Sequence, residues 1–338
     1  MPVPVTILSG FLGSGKTTLI NHLLQNHGNQ PIAIIENEFG EANIDGMLLD
    51  RGDTISVVEM TNGCVCCSVR GEFAVALNEL MAKRAAGDLQ FERILIETTG
   101  LADPSPVVQT FFVDESLRET TRLDGCITLV DCEHIERQLG EHAVAAAQIA
   151  FADRIFVTKG DRCDKETHPR VLTRIHEINR KAEIFDVVNG ECPPSLWLDI
   201  NAFELSDALS LNEGFTEIRS GQAPRFRQFG AAQPVLTTPH GARIQSYYLE
   251  AERLDLDRIG QFIEGLIETY GNDMLRYKGV LAIQGQEDRL VVQGVHKVVA
   301  FDYGSPWRDS EEARSKLVII GRDLPIDEIK AQFTSTVV

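Results

Sequence analysis

The chain has 338 residues, of which 43% are hydrophobic, and a net charge of −18. This length and apolar content predict two domains with substantial cores, and the acidic balance argues against a nucleic-acid partner, whose phosphates need clustered Lys and Arg. No apolar stretch approaches the roughly 18 residues of a membrane span, and the N-terminus lacks the basic region of a signal peptide, so we expect no membrane partner.

The first predicted strand, residues 3–8, leads into a phosphate-binding sequence. Residues 10–17 read Gly-Phe-Leu-Gly-Ser-Gly-Lys-Thr, which matches G-x-x-x-x-G-K-[ST], and a predicted helix, 17–24, follows. The glycines let backbone N–H groups turn around a diphosphate, Lys16 can reach the outer phosphates, and the Thr17 hydroxyl can ligate Mg²⁺. A glycine-rich turn with an incidental lysine is the alternative. We predict a nucleoside triphosphate site formed by Gly10, Gly13, Ser14, Gly15, Lys16, Thr17 and Thr18.

Short apolar runs alternate with helical patterns through the first half of the chain. Such near-continuous apolar runs are typical of parallel strands that are buried on both faces. Helical spacing separates them, as in Phe73, Leu77, Leu80 and Met81. The sequence therefore predicts an α/β fold, a P-loop NTPase with a mostly parallel, doubly wound sheet whose ligand loops follow the strand ends. The predicted strands are 3–8, 32–36, 54–59, 93–97, 126–130, 155–158 and 184–188.

Three of the seven cysteines lie within four residues, in Cys64-Val65-Cys66-Cys67. The odd number and the crowding do not resemble a disulfide framework, so we expect a reduced, cytoplasmic protein. A predicted helix begins near Ser68, and thiolates at a helix N-terminus form at lower pH and can bind a soft metal such as Zn²⁺, Co²⁺ or Cu⁺. Three sulfurs leave a tetrahedral ion one ligand short, and such open coordination suits a carrier.

Two acids that follow the second predicted strand, Glu36 and Glu41, are candidates for the remaining metal ligand. A redox thiol pair and a set of inert core residues are the alternatives for the cysteine cluster. The other cysteines have no ligand spacing and are predicted to be packing residues: Cys126, Cys132, Cys163 and Cys192.

The fourth predicted strand ends in an acid, Glu97, and Gly100 follows three residues later. Behind a phosphate-binding loop, a carboxylate at this place can hold Mg²⁺ directly or through water, and the Gly100 N–H can approach the γ-phosphate. A strand-end acid that faces solvent is the alternative.

A later strand leads into the pattern Thr158-Lys159-Gly160-Asp161. In a T/N-K-x-D loop the aspartate can accept hydrogen bonds from the guanine N1–H and 2-amino group, a donor pair that adenine lacks, and the lysine stem can lie over the base. A simple lysine-aspartate turn is the alternative. We therefore predict GTP rather than ATP, with Asn189-Gly190 as a further candidate contact to the base.

The regular alternation ends near residue 190. Prolines and glycines scattered over 191–240 predict a linker between a nucleotide-binding domain, 1–190, and a smaller α+β domain, 241–338. In the second domain the predicted strands are 243–249, 280–283, 289–293, 297–302 and 316–320, and the predicted helices are 256–274 and 327–333.

Taken together, these motifs resemble the CobW-type metallochaperone GTPases, relatives of the urease and hydrogenase maturation GTPases. The matching segments are 10–18, 36–40, 63–67, 97–100 and 158–161, and the stretch from 275 to 307 resembles that family's C-terminal domain. Many members carry a histidine-rich tract, and its absence here argues against high-capacity metal storage. His296 and Trp307 are core residues or functional ones, with neither favoured.

The resemblance also implies a role for each matching residue. Lys16, Thr17 and Glu97 would serve the triphosphate and catalysis, with Thr17, Glu97 and Asp45 around Mg²⁺. Guanine would be bound by Lys159 and Asp161. The transition-metal ligands would be Cys64, Cys66 and Cys67.

The function predicted from these residues is a slow GTPase that couples its metal affinity to its GTP state and delivers Zn²⁺ or Co²⁺ to a client metalloprotein. A homo-oligomer that forms on nucleotide or metal binding is a further expectation. One alternative is a non-catalytic metal buffer or sensor that nucleotide regulates. Another is a P-loop kinase for a small molecule, against which guanine selection argues.

Overall fold

The computed structural model describes residues 2–27, 31–37, 56–59, 69–203, 225–228, 243–308 and 311–338. The contacts divide the chain into two compact units, Met1–Phe203 and Glu204–Val338, and each unit is built on its own sheet. In this described part of the chain, no helix is long and apolar enough to cross a bilayer.

The first unit contains a seven-stranded sheet in which all neighbouring strands are parallel. Its strands are β1 (Val3–Gly10), β2 (Ile32–Asn37), β3 (Ser56–Glu59), β4 (Arg93–Thr98), β5 (Thr121–Asp131), β6 (Arg154–Thr158) and β7 (Glu183–Val187). In space they follow the order β3-β2-β4-β1-β5-β6-β7. The predicted α/β fold is confirmed, and each predicted strand of this half is present with its ends shifted by a few residues.

In the described connections, helices join each strand to the next one along the chain, as is usual in a parallel sheet. Those described in the first unit are α1 (Lys16–His27), α2 (Val69–Ala86), α3 (Ser105–Val113), α4 (Glu115–Thr120), α5 (Ile135–Glu141), α6 (Ala143–Phe151) and α7 (Thr167–Ile178). The apolar stripe of α1 is buried on one face of the sheet, in a core that includes Leu8, Leu19, Ile20, Leu23, Ile34, Leu95 and Leu129.

Residues beyond the predicted boundary at 190 belong to the first unit, which ends at Phe203. The Pro193-Pro194 pair forms a short 3₁₀ turn, and Trp197 after it is completely buried in the core beneath α1. The buried Asp124 carboxylate on β5 accepts the backbone N–H groups of Asp199 and Asn201, each at 2.8 Å. The predicted linker therefore differs from the structure at its start, because its prolines shape a packed segment.

The second unit contains a six-stranded antiparallel sheet and two described helices. Its strands are β8 (Arg225–Gln228), β9 (Ile244–Ala251), β10 (Met274–Ala282), β11 (Asp288–Val295), β12 (Val298–Pro306) and β13 (Ser315–Arg322), in the spatial order β8-β12-β11-β10-β13-β9. The helices are α8 (Leu256–Tyr270) and α9 (Ile326–Thr334). The smaller α+β unit is thus present, and β8 lies inside the predicted linker.

Two predicted bounds in this unit are wrong. The helix predicted over 256–274 ends at Tyr270, and the strand predicted to begin at 280 begins at Met274. Pairing decides the difference, because Met274 already lies opposite Gly321 of β13 and Arg276 opposite Val295 of β11. Hydrogen bonds to two neighbouring strands stabilise an extended backbone whatever the local helix propensity.

One face of this sheet packs on both helices. The predicted apolar face of α8 is buried there and consists of Ile259, Phe262, Ile263, Leu266 and Ile267. The Asp255 side chain caps α8 by accepting the Arg258 N–H at 2.9 Å. Beneath the helices Tyr277 lies opposite Gly294, which leaves room for the ring, and the Tyr277 hydroxyl donates to the Val298 carbonyl at 3.1 Å.

Candidate nucleotide-binding site

The loop from Gly10 to Lys16 curls at the carboxyl end of β1, between β4 and β5. Gly10, Gly13 and Gly15 have φ of +139°, +74° and +100°, a region that residues with a Cβ rarely adopt. A Cβ on Gly10 would clash with the Leu129 carbonyl oxygen of β5. The glycine spacing of the motif is therefore a steric requirement of this turn.

The Lys16 side chain folds back over the loop that precedes it. Its ammonium donates to the Gly10 carbonyl at 3.0 Å and the Phe11 carbonyl at 3.4 Å, and the residue is only 8% exposed. Beside it, the buried Ser14 hydroxyl has no hydrogen-bond partner among the described residues. A buried hydroxyl without a described partner, close to a buried ammonium, fits an anionic ligand such as a phosphate, because the ligand would accept the hydroxyl hydrogen and offset the positive charge.

Glu97 ends up beside this loop because β4 pairs with β1, with Leu8 in register with Glu97. Glu97 is 8% exposed, and Thr17, half-buried in the first turn of α1, is the other predicted Mg²⁺ residue that the structure describes. A Cβ on Gly100 would lie 2.5 Å from the Leu12 nitrogen. The backbone after β4 therefore rests directly on the phosphate-binding loop.

Gln148 of α6 holds this loop after β4, and the sequence reasoning missed it. The buried Gln148 amide donates to the Gly100 and Ala102 carbonyls, both at 3.1 Å, and Thr128 of β5 donates to the Gln148 carbonyl. A signal was available, since Gln148 is a polar residue in the otherwise apolar helix Ala143–Phe151. Its partners lie more than forty residues away in the chain.

The Thr-Lys-x-Asp loop at the end of β6 is hydrogen-bonded to the phosphate-binding loop. The Thr158 hydroxyl donates to the Ser14 carbonyl at 2.8 Å, and the Lys159 ammonium donates to the Gly13 carbonyl at 2.8 Å. Asp161 follows on an exposed 3₁₀ turn, Gly160–Arg162. Two motifs that are distant in the sequence are thus hydrogen-bonded to each other side by side.

The loop after β7 also reaches this site. Asn189 and Gly190 both have positive φ, +52° and +80°. A Cβ on Gly190 would lie 2.8 Å from the Thr18 carbonyl oxygen, so this loop rests on the first turn of α1. A contact from Asn189-Gly190 to the base stays a prediction.

Most of the predicted transition-metal residues lie outside the described residues, namely Glu41, Cys64, Cys66 and Cys67, as does the predicted Mg²⁺ residue Asp45. Glu36 is the penultimate residue of β2, and its backbone lies in register with Glu97. None of the four described cysteines forms a disulfide; Cys126, Cys132 and Cys192 are buried, and Cys163 is half-buried.

Residues 4–186 match the family model of the CobW/HypB/UreG nucleotide-binding domain, and residues 244–337 match the cobalamin synthesis protein cobW C-terminal domain. The chain therefore belongs to the CobW family of nucleotide-binding proteins, and the resemblance inferred from the sequence is confirmed.

Two curated relatives and one crystal structure extend over nearly the whole chain. The chain is 37% identical over 334 residues to the zinc chaperone YjiA of Escherichia coli, with 98% of each covered. It is 34% identical over 353 aligned positions to the zinc chaperone CobW of Pseudomonas aeruginosa, with 95% of this chain and 88% of that protein covered. The structure of Zn(II)-bound YjiA GTPase from E. coli superimposes with a TM-score of 0.77 and 32% identity over 99% of each chain.

Proposed function

We propose that this protein is a GTP-hydrolysing zinc metallochaperone, which carries Zn²⁺ on its Cys-x-Cys-Cys segment and delivers it to a client metalloprotein in the cytoplasm. The observation that carries the nucleotide half is the pair of hydrogen bonds from Thr158 to Ser14 and from Lys159 to Gly13. They join the phosphate-binding loop to the Thr-Lys-x-Asp loop, whose aspartate would accept the guanine N1–H and 2-amino hydrogens, a donor pair that adenine lacks.

The phosphates would be held by the loop N–H groups, Lys16 and the Ser14 hydroxyl. Asp161 would accept the guanine N1–H and 2-amino hydrogens, and the Lys159 stem would lie over the base. Exposure of Asp161 fits this role, since the base must reach its carboxylate from solvent. Buried polar groups that await a ligand are costly, so the unpaired Ser14 hydroxyl also supports an occupied site in the working protein.

Thr17 and Glu97 would hold Mg²⁺, with Asp45 as a further member of the shell. Bound Mg²⁺ supplies positive charge that offsets the charge developing on the transferred phosphoryl group. Lys16 adds a second positive charge from the protein itself. We expect slow intrinsic hydrolysis that metal or client accelerates.

The metal half rests on the thiols of Cys64, Cys66 and Cys67, with Glu36 or Glu41 as an oxygen ligand. Thiolates and a carboxylate suit Zn²⁺ and Co²⁺ alike, and affinity order alone does not separate the two ions. Two relatives that align with nearly the whole chain are named zinc chaperones, which favours zinc.

Nucleotide and metal would communicate through the segment after β2 and the loop after β4. The γ-phosphate would order both segments, and the cysteine segment lies between them in sequence. Coupling of this kind is reciprocal, so GTP must tighten zinc binding by the same factor by which zinc tightens GTP binding. A nucleotide- or metal-dependent homo-oligomer would be one way to complete the zinc shell.

Zinc affinity in different nucleotide states tests this function. We would measure competition with a chromophoric chelator for protein loaded with Mg²⁺ and either GDP or a slowly hydrolysed GTP analogue. We expect tighter zinc binding with the analogue, no zinc binding by Cys66→Ala, and no nucleotide effect in Lys16→Ala. Equal zinc affinity in the two nucleotide states would leave a zinc buffer as the better description, and displacement of GTP by equimolar ATP would favour a kinase.

A further inference from the structure

Asp131 is the last residue of β5, and it lies in register with Thr158 at the end of β6. It is 2% exposed. A carboxylate buried this deeply is costly unless donors surround it. Here three donors do so. Oδ2 accepts from the Lys159 ammonium at 2.7 Å and lies 3.0 Å from His134 Nδ1, and Oδ1 accepts the Glu133 N–H at 3.0 Å.

The pairing with Lys159 keeps the carboxylate ionised. Burial alone would raise the pKa of Asp131, but the hydrogen bonds from Lys159 and His134 and the charge of Lys159 outweigh burial and hold this pKa below its ordinary value. A partly buried charge-assisted hydrogen bond of this length restrains both partners. Lys159 is therefore held from one side by Asp131.

From its other side Lys159 contacts the phosphate-binding loop, since the same ammonium donates to the Gly13 carbonyl. The lysine thus bridges Asp131 and Gly13. Its backbone has φ of +59°, a left-handed conformation that is unfavourable for a residue with a side chain. That conformation turns the chain out of β6 towards Asp161. The Asp131–Lys159 pair is in a position to stabilise the turn.

A divalent cation is the rival occupant of this cluster. Asp131, Glu133 and His134 bring their ligand atoms within 4.8 Å of one another. The Lys159 ammonium lies 2.7 Å from Asp131 Oδ2 and would have to move away before a metal could coordinate that oxygen. The arrangement around Asp131 is therefore that of an ion pair with a lysine.

We infer that Asp131 is a positioning residue for guanine recognition, which acts by holding Lys159 between β5 and the phosphate-binding loop. This inference rests on the proposed guanine-nucleotide site. Neither the T/N-K-x-D pattern nor the phosphate-binding motif includes Asp131. Without the Asp131 carboxylate, the Gly13 carbonyl would be the one acceptor left to the Lys159 ammonium among the described residues, and the loop that carries Asp161 would lose an anchor.

The test is a double-mutant cycle on the full-length protein, read as dissociation constants for fluorescent GDP and ADP. We expect Asp131→Asn to weaken GDP binding by about tenfold and ADP binding by less than about twofold, because ADP gains little from the guanine loop. Lys159→Met should give the same pattern. The double variant should bind GDP within about twofold of Lys159→Met, since Asp131 acts through that lysine.

Asp153→Asn is the matched control. The Asp153 carboxylate also accepts a backbone N–H, that of Cys126 at 2.9 Å. However, Asp153 precedes the first residue of β6, at the other end of the strand from the Thr-Lys-x-Asp loop. We expect its GDP-to-ADP preference to equal that of the wild type. Equal weakening of GDP and ADP by Asp131→Asn, or additive effects in the cycle, would show a merely structural role and overturn the inference.

Two outcomes separate this inference from the function on which it rests. If the wild type binds ADP as well as GDP, the guanine site itself is wrong. If the wild type prefers GDP and Asp131→Asn keeps that preference, only the role of Asp131 is wrong. Should Asp131→Asn fail to fold, Lys159→Met still decides, since an unchanged GDP-to-ADP preference in that variant also refutes the inference.

Discussion

At the scale of single residues, the packing around the phosphate-binding loop depends on glycines, which have no Cβ atom. Gly100 shows this without any special backbone angle, because a Cβ there would lie 2.5 Å from the Leu12 nitrogen and 2.7 Å from the Leu12 Cα. Backbone atoms cannot rotate away as a flexible side chain can. Any larger residue must push the loop after β4 away from the phosphate-binding loop.

We therefore expect Gly100→Ala to weaken GTP-analogue binding by about tenfold or more, because the two loops can no longer touch. The measurement is the dissociation constant of a fluorescent GTP analogue. Gly140→Ala is the control, since Gly140 lies in α5 with no atom within 4 Å of an added Cβ. Equal affinities of the two variants would contradict the steric explanation.

A second prediction at this scale concerns the chemical reactivity of the buried thiols of Cys132 and Cys192. Burial, the Cys163 thiol and the nearby Asp186 and Asp131 raise the pKa of Cys132 to about 12, and burial raises the pKa of Cys192 to about 11. Thiolates are the reactive form. At about pH 8 neither residue should be alkylated by iodoacetamide in the folded protein, whereas both should react in urea. Peptide mass spectrometry measures this residue by residue, with half-buried Cys163 as an internal comparison.

The raised pKa of Cys192 also makes the stability of the protein depend on pH. As the pH rises, the unfolded chain loses the Cys192 proton near the ordinary thiol value of 9.0, before the folded protein does near 11. The free energy of unfolding should therefore fall between these two values, and it should fall less in Cys192→Ala. Alkylation of Cys192 at the same rate in folded and unfolded protein would contradict both expectations.

At the scale of elements, α6 links a buried core position to the loop after β4. Gln148 gives both of its described amide hydrogen bonds to that loop, at Gly100 and Ala102. Gln148→Leu would leave two carbonyls without their donor, at a cost of about 1–3 kcal/mol. We expect this variant to be less stable to urea and to hydrolyse GTP several-fold more slowly, with GDP affinity nearly unchanged.

Gln138→Leu provides the comparison for this prediction. Gln138 is also a buried glutamine, on α5, and its side-chain oxygen has no described partner. Its loss should leave hydrolysis unchanged and stability equal or higher. If both variants hydrolysed GTP at the wild-type rate, Gln148 would be a packing residue and no more.

The ends of the helices and strands show which features could not be predicted from neighbouring residues alone. The helix–strand junction at 270–274 was predicted incorrectly, because the predicted helix was continued past Gly271 and Asn272, which favour a helix end. The extended form of the segment that follows is stabilised by pairing with β11 and β13. The strands β1, β4, β5 and β6 were predicted because a strand that is buried on both faces carries a near-continuous apolar run. The edge strand β7 is partly exposed and carries only a short apolar run.

At the scale of the whole molecule, the first unit needs the residues up to Phe203. Trp197 is fully buried beneath α1, and its removal as Trp197→Ala should cost about 3–5 kcal/mol. A fragment of residues 1–203 should therefore fold cooperatively, whereas a fragment of residues 1–190 should not. Circular dichroism during urea unfolding compares the two, and equal transitions would support the boundary at 190 instead.

Tryptophan fluorescence allows the two units to be followed separately in the full chain. The protein has two tryptophans, Trp197 in the first unit and Trp307 in the second. A Trp197→Phe variant leaves Trp307 as the reporter of the second unit.

The sequence alone determined those features whose physics is local: the phosphate-binding turn, the apolar strands, the α8 stripe and the order of the nucleotide motifs. Each follows from residue types at short spacing, where sterics or burial on a regular element allows few alternatives. Tertiary structure decided the contacts that join them. Gln148 reaches Gly100, Asp131 holds Lys159, and Trp197 completes the first core. In each case the partners are far apart in the chain, and a single sequence does not indicate which distant residues will be in contact. The chain brings such residues together only when the sheet forms, because pairing of its strands sets which strand ends become neighbours.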